Sequence, residues 1–192
     1  MTWRRRLADD RAGAAIVEFA LIAPVLLMTL FGMFDLGHGM YTKALLQGAI
    51  EKAARDSTIE ASTPATLDGN VRTVVRRIAP DATLAFSRKS YTSFTDVGQP
   101  EEYTDTNSNG ACDNGETFED ANRNGIWDAD QGSVGNGGAR DAILYVVTVN
   151  YKRLFPVARF LGQSSYMQMS VVSVLRNQPY GLQGVPPTAT CP

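Results

Sequence analysis

The sequence predicts an α+β fold in which a long N-terminal helix packs on a small antiparallel sheet, with a long acidic loop inserted between two strands. Three observations support this prediction. An apolar run of membrane-crossing length lies near the N-terminus. The last third of the chain contains two β-branched segments, and a stretch rich in Asp and Asn precedes them. A length of 192 residues fits one domain together with a membrane anchor.

The apolar run covers residues 14–34 and contains a single charged residue, Glu18. At a rise of about 1.5 Å per residue, a helix of this length crosses a hydrocarbon core about 30 Å thick. We therefore expect a transmembrane segment at about 14–34, which is longer than the apolar part of a cleaved secretory signal. The arginines of the leader, residues 1–13, predict that the leader stays in the cytoplasm and that everything after about Phe34 is exported.

Glu18 needs a partner, because an ionised side chain inside a membrane span costs about 2.5 to 3.5 kcal/mol. Cleavage between Gly13 and Ala14 would create an α-amino group four residues before Glu18, on the same helical face. Residues 11–24 read RAGAAIVEFALIAP. This pattern resembles the processing site of type IV prepilins and, more specifically, the TadE/TadG family of pseudopilins from tight-adherence pilus systems.

The resemblance covers the first fifty or so residues and implies several roles. A prepilin peptidase of the inner membrane would cut after Gly13, Ala14 would become the mature N-terminus, and Glu18 would be required for processing or assembly. The chain would contact membrane lipid and other pilin or pseudopilin subunits through its N-terminal helix, and its exported domain would be pilin-like, periplasmic or extracellular. The alternative is a plain signal anchor that is never cut, in which Glu18 is incidental.

Helical periodicity continues beyond the apolar run. Leu46, Ala49, Ile50 and Ala53 recur at spacings of three and four residues and form an apolar stripe. We predict one helix over 14–57, half transmembrane and half amphipathic, followed by an extracytoplasmic domain over 58–192. The stripe indicates that this domain covers the amphipathic half of the helix.

The exported domain is predicted to contain one short helix and three strands. After a turn-rich connection, the predicted elements are a helix, three strands with a helical turn before the last strand, and an irregular tail that would be ordered only if anchored, for example by Cys191. The bounds are 61–69 for the connection, 71–78 for the helix and 155–161 for the helical turn. The strands are 82–94, 141–151 and 165–176, and the tail is 177–192.

Residues 96–138 form the acidic insertion, and 96–132 hold ten Asp and Glu against one Arg. This charge indicates a cation site and argues against a basic nucleic-acid-binding protein. Positions 1, 3, 5, 6, 9 and 12 of an EF-hand calcium loop are matched by Asp105, Asn107, Asn109, Gly110, Asp113 and Glu116. Fifteen residues later the first five of these positions are matched again, by Asp120, Asn122, Asn124, Gly125 and Asp128. Position 12 is then Gln131, and the neighbouring Asp130 is a substitute candidate.

Calcium suits this pattern because it takes oxygen ligands from alternate side chains and a backbone carbonyl at position 7, here that of Ala111 or Ile126. The repeat is similar to the calcium-stabilised loops of dockerins and thrombospondin type 3 repeats, which implies structural Ca²⁺. Phe118 and Trp127 are the expected apolar anchors of the insertion. The alternative is a polar loop in which Asn, Asp and Gly serve only to make turns.

The two cysteines, Cys112 and Cys191, lack the spacing of a zinc site. Outside the cytoplasm they could form a disulfide, and two unpaired thiols are the alternative.

Catalysis is not expected. The sequence contains no G-x-S-x-G, H-E-x-x-H, phosphate-binding loop or dinucleotide fingerprint, and it has one His. Two hypotheses remain. The chain is either a structural pseudopilin that takes part in pilus assembly, with a calcium-stabilised surface loop, or an uncleaved, membrane-anchored, calcium-dependent binding or adhesion module.

Overall fold

The computed structural model describes residues 13–56, 63–138, 140–155, 157–176 and 184–192. The leader up to residue 12 lies outside the described residues. The first element is α1, a single helix of 43 residues over Ala14–Asp56 with Pro24 inside it. The predicted long helix is therefore confirmed as far as Asp56.

The two halves of α1 have different surroundings. Its most apolar 18-residue window is 0% buried within the chain. Further along, one side chain in every three or four is buried, and these residues are Asp35, Gly39, Thr42, Leu46, Ile50 and Ala53. The predicted apolar stripe is therefore the part of the helix that the rest of the chain covers.

Four antiparallel strands form the main sheet, in the order β3-β1-β4-β5. Their bounds are Thr83–Tyr91 for β1, Ser133–Val134 for β3, Ala142–Lys152 for β4 and Tyr166–Arg176 for β5. β4 is the central strand, since all nine residues of β1 and all eleven of β5 pair with it. The three predicted strands are present, together with the two-residue β3.

The core lies between this sheet and two helices. Along β4 alternate side chains from Ile143 to Tyr151 are buried, as expected when one face of a strand is covered. They pack with Leu46 and Ile50 of α1 and with Val71 of the second helix. Gly39 of α1 lies close to β5, since a Cβ added there would be 2.7 Å from Cε of Met167 and the flexible end of that side chain would have to shift.

The second helix, α2, covers Pro64–Arg76. The turn-rich connection predicted over 61–69 is therefore wrong from residue 64 onward, and the predicted helix began too late. Thr63 caps the helix by accepting a hydrogen bond from the Thr66 amide, and Pro64 occupies the first turn. Proline favours that position, so here it starts a helix instead of breaking one.

A second, two-stranded sheet was not predicted. It pairs β2, Thr117–Glu119 in the acidic insertion, with β6, Thr188–Thr190 near the C-terminus. The prediction of an irregular tail is therefore wrong for residues 188–190, while 177–183 lie outside the described residues. A one-turn helix, α3 over Val157–Phe160, connects β4 to β5 near the predicted helical turn.

Candidate functional site

The predicted processing residues lie at the start of α1. The Gly13 carbonyl accepts the first hydrogen bond of the helix, from the Val17 amide at 3.2 Å. Gly13, Ala14 and Glu18 are all exposed. Since Ala14 and Glu18 are one helical turn apart, an amino group on Ala14 would lie on the Glu18 face.

The surrounding surface of α1 is apolar and uncovered. Its large apolar side chains between Ile16 and Phe34 range from 36% exposed at Phe31 to 73% exposed at Leu21. Among the described residues, α1 is the one helix long and apolar enough to cross a membrane. The structure thus offers a single-pass anchor at the predicted position.

A polar contact that the sequence did not reveal lies where the apolar run ends. Asp35 is 7% exposed and forms an ion pair with Arg153 at the end of β4. Close by, the His38 ring meets the edge of the Tyr151 ring at 5.5 Å. The 118 residues between Asp35 and Arg153 hide the pair from sequence reasoning. An Asp directly after an apolar run was the only available signal.

The first acidic loop folds around its own side chains. The Asp105 carboxylate accepts hydrogen bonds from the amides of Gly110 at 2.8 Å and Asn109 at 3.2 Å. The Asn109 side chain accepts one from the Ala111 amide at 2.9 Å. Asn107 donates to the Asp113 carboxylate at 2.8 Å.

Glu116 closes the first loop, as its position in the pattern predicts. Its Oε1 accepts hydrogen bonds from the Thr106 amide at 2.8 Å and the Thr106 hydroxyl at 2.9 Å, and its Oε2 accepts one from the Asp113 amide at 3.0 Å. Backbone amides of Asp113 and Thr106 therefore lower the pKa of this carboxyl, since they favour its charged form.

The second acidic loop repeats these contacts. Asp120 accepts from the Gly125 amide at 2.9 Å and the Asn124 amide at 3.0 Å, and the Asn124 side chain accepts from the Ile126 amide at 2.7 Å. Asn122 donates to Asp128 at 2.7 Å. The two matches to the calcium pattern thus have the same local conformation.

The carboxylate that closes the second loop is Glu101, which the sequence analysis missed. Its Oε1 accepts from the Ala121 amide at 2.9 Å and its Oε2 from the Asp128 amide at 3.0 Å, as Glu116 does in the first loop. Glu101 is 1% exposed. Burial raises its pKa, opposed by hydrogen bonds from those backbone amides, and the nearby charge of Asp120 raises it further.

Neither of the residues considered for position 12 closes the second loop. Gln131 donates to the Pro100 carbonyl at 3.4 Å. Asp130 instead forms an ion pair with Lys89 at 2.6 Å and accepts a hydrogen bond from the Tyr91 hydroxyl at 3.0 Å. The side chain of Asp130 therefore ties the insertion to β1.

Glu101 could have been found from the repeat itself. Glu101 precedes Asp105 by four residues, and Glu116 precedes Asp120 by the same four. The repeat is therefore 101–115 and 116–130, and an antiparallel bridge from Tyr103 to Phe118 joins its two copies at equivalent positions. The leading Glu of each copy closes the loop of the other copy.

A disulfide and two aromatic residues hold the insertion in place. Cys112 is joined to Cys191, with 5.7 Å between their Cα atoms, and the Cys191 amide donates to the Glu116 carbonyl at 2.8 Å. Phe118 is 2% exposed, and the Trp127 indole donates to the Glu101 carbonyl at 2.9 Å. The disulfide thus joins the insertion to the C-terminal residues, and the Trp127 hydrogen bond lies within the insertion.

The fit of a metal ion depends on more than carboxylates. In the described parts of the chain, no three His, Cys, Asp or Glu side chains are arranged to hold a metal ion. Each loop adds two Asn side chains and a backbone carbonyl, which are oxygen donors that calcium accepts. Calcium binding stays a prediction.

Comparison with known proteins gives one match. Residues 13–55 match the family model described as TadE-like protein. No curated protein and no solved structure matches the chain. The match confirms the TadE-type resemblance over residues 13–55, which lie within the N-terminal part of the chain that contains α1.

Proposed function

We propose that this chain is a TadE-type pseudopilin that a prepilin peptidase cuts after Gly13 and that takes part in assembly of a tight-adherence pilus. Residues 14–34 of α1 anchor the mature chain in the inner membrane, the leader faces the cytoplasm and the α+β domain is exported. One observation carries the proposal. The family match coincides with a continuous helix whose first half is bare and apolar apart from Glu18.

The two halves of α1 have separate tasks in this proposal. The second half belongs to the core of the exported domain, so it cannot leave without unfolding that domain. The first half contacts lipid before assembly and other pilin-like helices afterwards. Because its surface is apolar in both settings, the α-amino group of Ala14 is what compensates the charge of Glu18.

Leader processing tests the first part of the proposal. Gly13→Arg and Glu18→Lys should each leave the leader attached, as measured by the intact mass of the chain from membranes that contain the peptidase. Neither change should disturb the fold, because a Cβ at Gly13 meets nothing within 4 Å and Glu18 is exposed. Glu51→Lys is the matched control, since Glu51 is exposed on the same helix. Normal cleavage of both variants would contradict the proposal and favour an uncut anchor.

We further propose that Ca²⁺ orders the acidic insertion, with one ion in each loop. The support is the shared conformation of the loops and the burial of Glu101, Glu116 and Asp120 at 5% exposure or less. The charge of Asp120 raises the pKa of buried Glu101, so these two carboxylates repel one another, and a divalent cation would offset that repulsion. The ligands would be the side chains at positions 1, 3 and 5, the carbonyl at position 7, and Glu116 or Glu101.

Calcium titration with variants tests this second part. The wild-type chain should bind two ions by calorimetry and melt at a lower temperature in chelator. Glu116→Gln and Glu101→Gln should each reduce the stoichiometry to one, because each removes the closing carboxylate of one loop. Glu102→Gln is the control at an exposed neighbour, and Gln131→Ala should still bind two ions. No binding heat and an unchanged melting temperature in chelator would exclude the calcium sites.

A further inference from the structure

The connection between β4 and β5, described at residues 153–155 and 157–165, contains α3 and lies at the end of the α+β domain that would face the membrane. We call it the β4–β5 loop. Its Phe155 ring stacks on Phe31 of α1 at 5.1 Å between centroids and lies 6.1 Å from the ring of Phe34. Both partners belong to the segment predicted to cross the membrane. The loop therefore lies level with the last turn of that segment.

The ion pair between Asp35 and Arg153 fixes this position. Asp35 is the first residue after the apolar run, and Arg153 is the first residue after β4. On the same face of α1 the contacts continue through His38 and Thr42 into the domain core. The loop is thus a continuation of the packed face of α1 toward the membrane.

The outer surface of the loop is apolar and uncovered within the chain. Leu154 is 59% exposed, Phe160 is 72% exposed and Leu161 is 71% exposed. Large apolar side chains grouped in this way on a protein surface mark a contact with a partner or a membrane. Phe155, in the same loop, lies beside Phe31 and Phe34 of the proposed membrane anchor, and this position selects the membrane as the partner.

Cations accompany these apolar side chains. Lys152 and Arg159 are exposed, and with Arg153 and Ser165 they line a cleft of about 240 Å³. The Nε atom of Arg153 is buried and has no hydrogen-bond partner among the described residues. No Asp or Glu lines the cleft. The Asp35 carboxylate already neutralises Arg153, so the groups of the cleft that match the phosphate of a phospholipid are Lys152, Arg159, the Arg153 Nε and the Ser165 hydroxyl.

We infer that the β4–β5 loop is an interfacial membrane contact, with Leu154, Phe160 and Leu161 inserted among the phospholipids of the leaflet facing the exported domain. Lys152 and Arg159 then bind lipid phosphates, with the Arg153 Nε as a further donor, because at a membrane interface basic side chains reach the headgroups while apolar side chains enter the acyl chains. The inference rests on the proposed membrane anchor. It adds a second attachment, which fixes the tilt of the exported domain relative to the membrane.

Tryptophan depth measurements test the inference. The full-length chain is reconstituted in vesicles of phosphatidylcholine and phosphatidylglycerol with brominated acyl chains, which quench indole fluorescence on contact. Phe160→Trp reports on the loop, and Leu21→Trp reports on the anchor. Phe94→Trp is the matched control, because Phe94 is also exposed, at 68%. Phe94 follows the end of β1 that pairs with Ala142, at the start of β4. That end of the sheet lies on the order of 30 Å from the β4–β5 loop.

The fluorescence of the added indole is obtained by subtracting that of the wild-type chain. Tryptophan at 160 should be blue-shifted and quenched at least threefold more strongly than tryptophan at 94. Adding Arg159→Glu should weaken that quenching, whereas adding Arg76→Glu on α2 should leave it unchanged.

The other outcomes separate the two proposals. Quenching at 21 without quenching at 160 would overturn the interfacial contact while leaving the anchor intact. A blue shift at 160 without quenching would also overturn it, since a second copy of the chain would then cover the loop. Absence of quenching at 21 would mean that α1 does not insert, and both proposals would fail.

Discussion

Two glutamates that look alike in the sequence have opposite electrostatic settings. Hydrogen bonds from backbone amides lower the pKa of Glu116, whereas burial raises the pKa of Glu101. The folded chain thus favours the charged form of Glu116 and disfavours that of Glu101. Without a cation, Glu116 stabilises the fold at neutral pH and Glu101 opposes it.

The sign of each contribution fixes its pH range. Stabilisation by Glu116 is present above the pKa of an unfolded Glu, about 4.3, and is lost as the pH falls through the lower pKa of the folded state. For Glu101 the favourable contribution is present below about 4.3 and is lost as the pH rises through its raised folded pKa.

Melting curves in chelator test this difference between the two residues. At pH 7 Glu116→Gln should lower Tm more than Glu101→Gln, although each change removes one hydrogen-bond acceptor. The Tm difference between wild type and Glu116→Gln should shrink as the pH is lowered below about 4. A larger loss for Glu101→Gln at pH 7, or a Glu116→Gln difference that does not change with pH, would refute the assignment.

The ion pair between Asp35 and Arg153 gives a second test at this scale. Removing one partner of a largely buried pair leaves the other uncompensated, so Asp35→Ala or Arg153→Ala should each cost about 3 kcal/mol of unfolding free energy. The double variant should lose clearly less than the sum of the two single losses. Denaturant unfolding in detergent measures the cycle, and additive losses would show that the two residues do not interact.

Single residues were predictable where a local pattern defines them. Gly13, Ala14 and Glu18 follow from one short run, and Glu116 follows from a twelve-residue pattern. Glu101 and Asp35 were missed because their partners are distant in the sequence, at 20 to 27 residues and 118 residues.

At the scale of elements, α1 combines a surface for lipid with a surface for a protein core. The change occurs near Asp35, where buried side chains begin to recur on one face. The helix could be predicted from the sequence because its first half is a long apolar run and its second half has a regular apolar stripe. The apolar stripe predicted burial, but not that α2 and β5 both contact the helix.

Truncating a buried and an exposed side chain in the second half of α1 should have different effects. Leu46 is 0% exposed, so Leu46→Ala should cost about 2 to 5 kcal/mol of unfolding free energy. Leu36→Ala, at 63% exposure, is the control and should change it by less than about 0.5 kcal/mol. Denaturant unfolding in detergent measures both. Equal effects would mean that the domain does not pack on the second half of α1.

The helix that was predicted to begin too late and the short strands that were missed have different physical causes. α2 begins at a Pro that occupies the first turn of a helix but also resembles a loop residue. β2 and β6 are three residues long and pair across about seventy residues, so neither strand carries a periodicity of its own. β3 is shorter still. Tertiary contacts, which no local pattern encodes, define these strands.

At the scale of the whole molecule, the acidic insertion and the proposed membrane contact lie at different ends of the α+β domain. The insertion follows β1 and is tied to that strand through Asp130, to β6 by strand pairing and to Cys191 by the disulfide. The β4–β5 loop lies at the other end of β4, beside α1. A pseudopilin arranged in this way presents its predicted calcium loops away from the membrane.

The overall architecture was predictable because its parts are long. The fold class, the long helix and the three long strands are confirmed. The family match covers residues 13–55, so the fold of the α+β domain that follows is known from the structure alone.

We propose that this chain becomes a pilus-associated pseudopilin by losing its leader, and the N-terminus of the chain in filaments and in membranes tests that proposal. Surface filaments are sheared from cells that express the native chain, and the intact mass of this chain is determined in filaments and in membranes. The account predicts a chain that begins at Ala14 in both fractions. A chain that retains residues 1–13 and occurs only in membranes would contradict it.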